Sequence, residues 1–467
     1  MKPVVGEENV VGLALDRGLT KLPPEQAYAD GARVTGLIRE AARAAGLGST
    51  DPDSPLRDII EPGMCVLVKP NWVLHRNEGG HGMACMVTQP AFVLGALAEI
   101  CRAKPARIIL GDAPIQACDF GLLVSPGFRR EAQRIAADAV VSLEIIDFRR
   151  TIAVDGRLDQ GVREGVRSED RYLLFDLGSD SLLEPISRPA GRFRVTNYDP
   201  RRLARCHGPG RHRYLLCREA FEADLIVSLP KLKTHRKAGM SGALKNLVGL
   251  NGNKDFLPHH RAGGTHAGGD CYPGRSLRKR FAEFLLDVAN RRVGTPAYNF
   301  WGRMAWRARR GIVQLEDGDL EGSWYGNDTC WRMVLDLNRI LLYGRPDGTM
   351  AETRQRKLWS LTDAIVCGQG EGPLAPRPLA VGAVTVSDSS PVADAVHAAL
   401  LRLDANQLAL VRESFGAFRW PLVPEPLRPV VRWGATELSL DQVAADVGAS
   451  ALAPRGWASR VERRTSP

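Results

Sequence analysis

The chain has 467 residues, with 63 Lys+Arg against 53 Asp+Glu, a formal charge of +10. Apolar residues make up 44% and charged residues 25%, which excludes a disordered or fibrous chain and leaves room for a substantial core. No apolar run approaches the ~18 residues of a membrane-spanning helix. Acids in MKPVVGEENVVGLALDRG interrupt what a secretory leader needs, so a cytoplasmic location is expected.

In chain order, Val10–Leu15 reads as a first strand and 24–47 as a helix with alanines, aliphatics and arginines at helical spacing. Cys65–Val68 is a strand, Pro90–Cys101 a helix opened by proline, and Arg107–Leu110 a strand. A helix over 127–139 and a strand over 142–146 follow. The segment 151–215 is irregular, with two short strand pairs, and the buried-strand signal returns at 223–229. Two basic amphipathic helices fill 275–312, another helix spans 327–342, and strands at 362–367 and 379–386 precede a helix at 391–401. This alternation predicts an α/β fold, a mostly parallel sheet flanked by helices, with a helical insertion. The expected organisation is an α/β domain over 1–274, a basic helical insertion over 275–345, a return to the α/β core over 346–430, and a peripheral tail over 431–467.

Five expected strands end in Gly, Pro or a polar residue: at Lys69-Pro70-Asn71, at Gly111-Asp112, at Pro230 to His235, at Gly368 to Pro373, and at Asp388. If the strands are parallel, these residues gather on one carboxyl edge, where open α/β sheets bind ligands. Turn chemistry explains Gly, Pro, Asn and Asp there, but not lysine. Arg outnumbers Lys 52 to 11, yet five lysines (231, 233, 237, 245, 254) lie in one 24-residue stretch, and Lys69 is a sixth at the same expected edge. Lysine kept in an arginine-rich chain suits a compact ammonium for phosphate or carboxylate, or an amine of shifted pKa. Ser241 to Leu247 resembles a glycine turn into a helix whose amides would suit an anion. Neither a Walker loop nor a G-x-G-x-x-G fingerprint is present.

Four of nine histidines (235, 259, 260, 266) fall within 32 residues, beside Asp270 and Cys271. His259, His260, His266 and Asp270 could hold a divalent metal, although their spacing fits no standard motif. Acid–base work, anion contacts and a hydrogen-bonded loop are the other readings. His235 follows two lysines whose charge should keep it neutral and basic. The nine cysteines lack regular spacing or any C-x-x-C pair, so no disulfide framework or iron–sulfur motif is expected and they read as reduced.

These same residues carry a resemblance. VLVKPNWV, Thr88-Gln89-Pro90, ILGDAP, ADLIVSLPKLKTHRKAGMSGALKNLVGL and DAIVCGQGEGP…SDSSPVADAV, spanning roughly 60–415, resemble the family called domain of unknown function 362. By matching positions the resemblance implies functional roles for Lys69, Asn71, Asp112, Lys231, Lys233, His235, Lys245, Asn246, Glu371 and Asp394. Ser389-Ser390 replaces the family's usual Asp before Pro391, and the cysteine cluster of some relatives is absent.

The leading reading is an enzyme acting on a small anionic substrate, phosphorylated or carboxylated and including sugar derivatives. Lys69, Lys231, Lys233 and Lys245 would hold the anion, with Asn71, Asn246 and Asp394 orienting it. His235 with Asp112 or Glu371 would move protons. One alternative is a protein that binds RNA, another polyanion or an anionic membrane surface through 275–312; a second is a metal-holding redox accessory protein. Residues 275–312 contribute +8 and residues 231–254 contribute +6, leaving the other 405 residues at −4. The two basic patches are therefore expected to do different jobs.

Overall fold

The computed structural model describes residues 9–315, 319–423 and 428–463, with side chains to 312 in the first segment. Residues 1–8, on which part of the leader reading rested, and the last four residues of the expected tail lie outside the described residues.

An 11-stranded sheet organises the chain. Its strands are β1 (Val10–Leu15), β2 (Cys65–Pro70), β3 (Arg107–Asp112), β4 (Ser142–Asp147), β5 (Leu225–Leu229), β6 (Lys231–His235), β7 (Gly239–Ser241), β8 (Lys357–Glu371), β9 (Ala375–Ser387), β10 (Val430–Trp433) and β11 (Thr436–Leu438). The spatial order is β11-β10-β1-β9-β8-β5-β2-β3-β4, with β6 and β7 branching from β8. Strands β4, β3, β2, β5 and β8 are mutually parallel, as the continuous apolar runs predict. The long β8 pairs β5 through Lys357–Ser360 and then β6, with a register shift between Lys231 and Lys233, so β6 extends the sheet past the end of β5.

β9 departs from the parallel expectation. Only Gly372, Pro373 and Leu374 separate β8 from β9, too short a link for a crossover, so the two form an antiparallel hairpin. Asp388 therefore lies toward the opposite edge of the sheet from the other four strand ends.

Helices cover both faces. Val66 and Val68 of β2 pack with α1 (Gly31–Ala44), α2 (Pro90–Arg102) and α3 (Pro126–Asp138), while Leu67 packs on the other side with the helix Cys330–Tyr343. α1 shows the local logic: Asp30 caps it by accepting from the Arg33 amide, and Val34, Leu37, Ile38 and Ala41 form its buried stripe. The insertion is a hairpin of α4 (Leu277–Asn290) and α5 (Pro296–Leu315). Among the described residues no helix is long and apolar enough to cross a membrane.

The segment beyond 430 is not peripheral. β10 pairs in parallel with β1, β11 pairs with β10, and Trp457 is wholly enclosed in the core beneath β9 and the helix Ser390–Leu400. The sequence predicts a peripheral tail here because short edge strands give little periodic signal.

Candidate active site

Four strand ends meet around one cleft of about 690 Å³. The end of β2 supplies Lys69 and Asn71, β3 supplies Asp112, β6 supplies Lys233 and His235, and β8 supplies Glu371. The short helix Ala243–Asn246 adds Lys245 and Asn246, and the loop beyond it adds Lys254 and His259. Five of the 11 lysines line this cleft.

The floor is a closed polar network. Lys69 Nζ lies 2.9 Å from Asp112 Oδ1 and donates to Asn246 Oδ1 (3.0 Å) and the Pro70 carbonyl (2.6 Å), which uses all three of its protons. Asp112 also accepts from the amides of Trp72 (2.6 Å) and Ala113 (2.8 Å). Burial pushes the Asp112 carboxyl up and the Lys69 ammonium down, and each opposes the shift of the other. Asn246 Nδ2 donates to the Lys69 carbonyl and Ser228 Oγ, and its Oδ1 accepts from Lys69 and Asn71. Gly249 is obligatory beside this pair: a Cβ there would stand 1.9 Å from Asp112 Oδ1. Lys69, Asp112 and Asn246 thus build the site rather than offer free groups to a ligand.

Lys231 lies outside the cleft. Its Nζ pairs with Asp363 Oδ2 (3.0 Å) and donates to Tyr28 Oη (2.7 Å), which in turn donates to Asp363 Oδ1 (2.7 Å). This sealed triad is fully enclosed. Sequence reasoning missed Tyr28 and Asp363, although an acid inside the apolar run LTDAIVC signals a buried partner.

Lys233 differs. Its Nζ donates to Asn71 Oδ1 (2.7 Å) and to the Met86 carbonyl, and among the described residues no carboxylate pairs with it. Burial, reinforced by the nearby Lys231 charge, pushes its pKa down to about 7. Lys254 donates to the carbonyls of Ala113 and Asn251 and is likewise pushed by burial to about 7. Lys245 is 9% exposed, and its ammonium has no hydrogen-bond or ion-pair partner among the described residues.

Two histidines face the cleft in opposite tautomers. His235 Nδ1 accepts from the Lys237 amide (3.1 Å), so the neutral ring carries its proton on Nε2. His259 Nδ1 donates to the Leu257 carbonyl (2.7 Å), which leaves Nε2 with a free lone pair. Burial first, and the Lys245 charge second, hold both rings neutral, well below the usual imidazole range. The expected roles therefore move: His235 presents a donor, and the basic nitrogen belongs to His259.

The four expected metal ligands do not assemble. His259 lines the cleft, His266 is exposed, and Asp270 is a loop latch accepting from Thr329 Oγ1 (2.6 Å) and the Asp328 amide (3.0 Å). His260 turns into a separate small cavity with Cys271 and Glu283. Glu371 sits at the rim, 3.0 Å from Arg236 and accepting from the Arg455 amide, so it is already neutralised. Asp394 does not reach the cleft. It accepts from the amides of Ala243 (2.7 Å) and Leu244 (3.1 Å) and pairs with His397 (2.8 Å). The amides expected to bind an external anion are thus taken by an internal carboxylate.

The insertion is not detached from the site. Leu286 of α4 and Tyr298 and Arg309 of α5 line the same cleft, so the arginine-rich hairpin walls the lysine-built floor. All nine cysteines are free, eight of them buried.

Residues 180–399 match the model of the family described as domain of unknown function 362. The match covers the later blocks of the resemblance and stops short of the Lys69 and Asp112 strand ends, which the fold nevertheless brings to the same cleft. A thylakoid-associated protein of Synechocystis sp. is 23% identical over 239 residues, 51% of this chain and 52% of that protein. The chain therefore aligns with about half the length of that relative. A crystal structure of a Thermotoga maritima protein covers 75% of this chain and 54% of its own at 10% identity, with a TM-score of 0.31.

Proposed function

We propose that this chain, whose residues 180–399 match the family called domain of unknown function 362, is an enzyme that transfers a proton on a small phosphorylated or carboxylated substrate. Sugar derivatives bearing such a group fall within this class. The observation that carries the reading is the pair of neutral imidazoles in opposite tautomers beside the unpartnered Lys245. Lys245 holds the anion, joined by Lys233 in its ammonium form. His235 Nε2–H donates to an oxygen on which charge develops, a donor already oriented by the Lys237 amide on Nδ1. His259 Nε2 takes the proton, as a general base kept neutral by its surroundings must. Asn71 steers Lys233, and the Lys69–Asp112–Asn246 network fixes Asn71.

The test is to identify the co-purifying ligand by mass spectrometry and titrate it into the wild type, Lys245→Ala and His259→Gln. Loss of the Lys245 contact should weaken binding about tenfold or more, the scale of a charge-assisted hydrogen bond. His259→Gln should keep most of the affinity and lose conversion. Wild-type binding and conversion in both variants would end this reading.

One observation favours a second role, for the insertion alone. Leu277, Phe281 and Phe284 at helical spacing on α4, with Phe300 and Trp306 on α5, are each more than half exposed among arginines. Such a face suits an anionic membrane surface, and the relative's thylakoid association points the same way. Salt-sensitive co-sedimentation with phosphatidylserine vesicles is expected, and it should be lost in Phe281→Ser/Phe284→Ser. Salt-sensitive binding to RNA that survives this double change would assign the arginines to polyanions instead.

A further inference from the structure

Behind the cleft wall lies a second cavity, of about 10 Å³, room for a single ion or water. Its lining includes His260, Cys271 and Glu283, all buried, and no two of their donor atoms are more than 4.8 Å apart. They come from three separate pieces of chain. His260 sits in a two-residue strand paired with Phe193–Arg194, Cys271 ends the glycine-rich loop, and Glu283 projects from α4.

Several polar atoms in this wall lack partners. His260 is 3% exposed, and its Nδ1 is buried with no hydrogen bond. Asn290 Oδ1 and Glu321 Oε1, from residues lining the same cavity, are also buried and unpaired. Unsatisfied buried groups are costly, and three in one small cavity call for an occupant. The charge pattern says which kind. Arg194, the cation in the wall, is already bound by Asp287 at 2.9 Å, and Glu321 Oε2 by Arg309 at 2.7 Å. No cation of the lining is left to pair with Glu283, which lies beside the Cys271 sulfur.

We propose that His260, Cys271 and Glu283 bind one divalent metal ion, of the zinc class, at a site distinct from the catalytic cleft. Imidazole, thiolate and carboxylate together are the ligand set of a borderline-soft ion. Tetrahedral bonds of about 2.0–2.3 Å place donors roughly 3.3–3.8 Å apart, so the widest-spaced pair closes by no more than about 1.5 Å. The ion cancels the two negative charges and takes the place of the cysteine proton, which leaves to solvent on binding. The surroundings suit it: Cys271 Sγ accepts from the Glu321 amide (3.2 Å), and Glu283 accepts from the Gly263 amide (3.0 Å). Glu321 Oε1, buried and unpaired in the same lining, would complete the coordination. Enclosed in this way, the ion is structural. It pins α4 of the insertion to the loop that begins at the catalytic His259.

Cobalt(II) titration of the purified, chelator-treated full chain tests this directly. The expected result is one equivalent bound, with a thiolate-to-cobalt charge-transfer band and intense visible bands of a tetrahedral centre, displaced by Zn²⁺. Cys271→Ser should lose the charge-transfer band, and His260→Gln should weaken binding at least tenfold, while His259→Gln should retain the full spectrum. Wild-type protein without a thiolate-to-cobalt band overturns the proposal and leaves a Cys271 thiol donating to Glu283. So does an unchanged band in Cys271→Ser. If Cys271→Ser does not fold, the wild-type spectrum decides, together with a Zn²⁺-dependent rise in Tm reversed by chelator. No such rise, with no band, is the overturning result.

Discussion

Lys231 and Lys233 stand two residues apart on one strand and have opposite fates. Lys231 neutralises Asp363 in a sealed triad with Tyr28, whereas Lys233 meets only an amide oxygen and a carbonyl. Removing Lys231 strands a buried carboxylate. Lys231→Met is expected to cost about 3–5 kcal/mol in urea unfolding, with anion affinity of the folded protein near wild type at pH 6, where the Lys233 ammonium is already present. Lys233 should make anion binding depend on pH. Its amine is half protonated near pH 7, and the ionisable groups acting on it are Lys231, Cys85, Lys245 and Asp112. Above that pH, binding an anion through its ammonium requires uptake of a proton, so affinity should fall roughly tenfold per pH unit. Below it the ammonium is already present and this dependence vanishes. Titrations with sulfate, whose charge does not change from pH 6 to 9, check the slope, and Lys233→Met should reduce it.

At the scale of elements, the segment after β7 shows how tightly the site is templated. Its turn holds Gly242, where a Cβ would lie 2.1 Å from Asp394 Oδ1, and the following 3-10 turn holds Gly249 against Asp112 and Lys69. The short helix between them carries Lys245 and Asn246 to the cleft with its leading amides capped by Asp394. Gly249→Ala should therefore destabilise the fold by about 1–3 kcal/mol, the usual cost of overpacking. Guanidinium unfolding measures it, and reduced phosphate affinity should accompany it because the Lys69–Asp112 pair must move. The lysine and glycine pattern of 231–254 was visible in the sequence, but its division into support and contact was not. That division depends on which acids come opposite: Asp363 reaches Lys231 from β8, and among the described residues no acid reaches Lys245.

At the scale of the molecule, the cleft is closed by pieces distant in sequence. α5 supplies Tyr298 and Arg309, and the chain end braces the rim: Trp457 Nε1 donates to the Arg236 carbonyl (2.7 Å), and the Arg455 amide donates to Glu371 (2.8 Å). Trp457 is 1% exposed, so Trp457→Ala should lose about 3–5 kcal/mol of stability by cavity formation. Denaturant melts would show this, and intrinsic fluorescence would report the loosened tail.

The sequence by itself determined the α/β alternation, the strands at 10–15, 65–68 and 107–110, and the gathering of lysines in 231–254. These are local properties, set by hydrophobic period, caps and turn residues. Only the tertiary structure decided which charges are spent on one another, which histidine nitrogen faces the cleft, and where the insertion and chain end pack. Burial and pairing are fixed by residues far apart along the chain: Asp363 with Lys231, Asp394 with the turn at 242–244, and His260 with Cys271 and Glu283. No spacing rule in one sequence encodes such meetings.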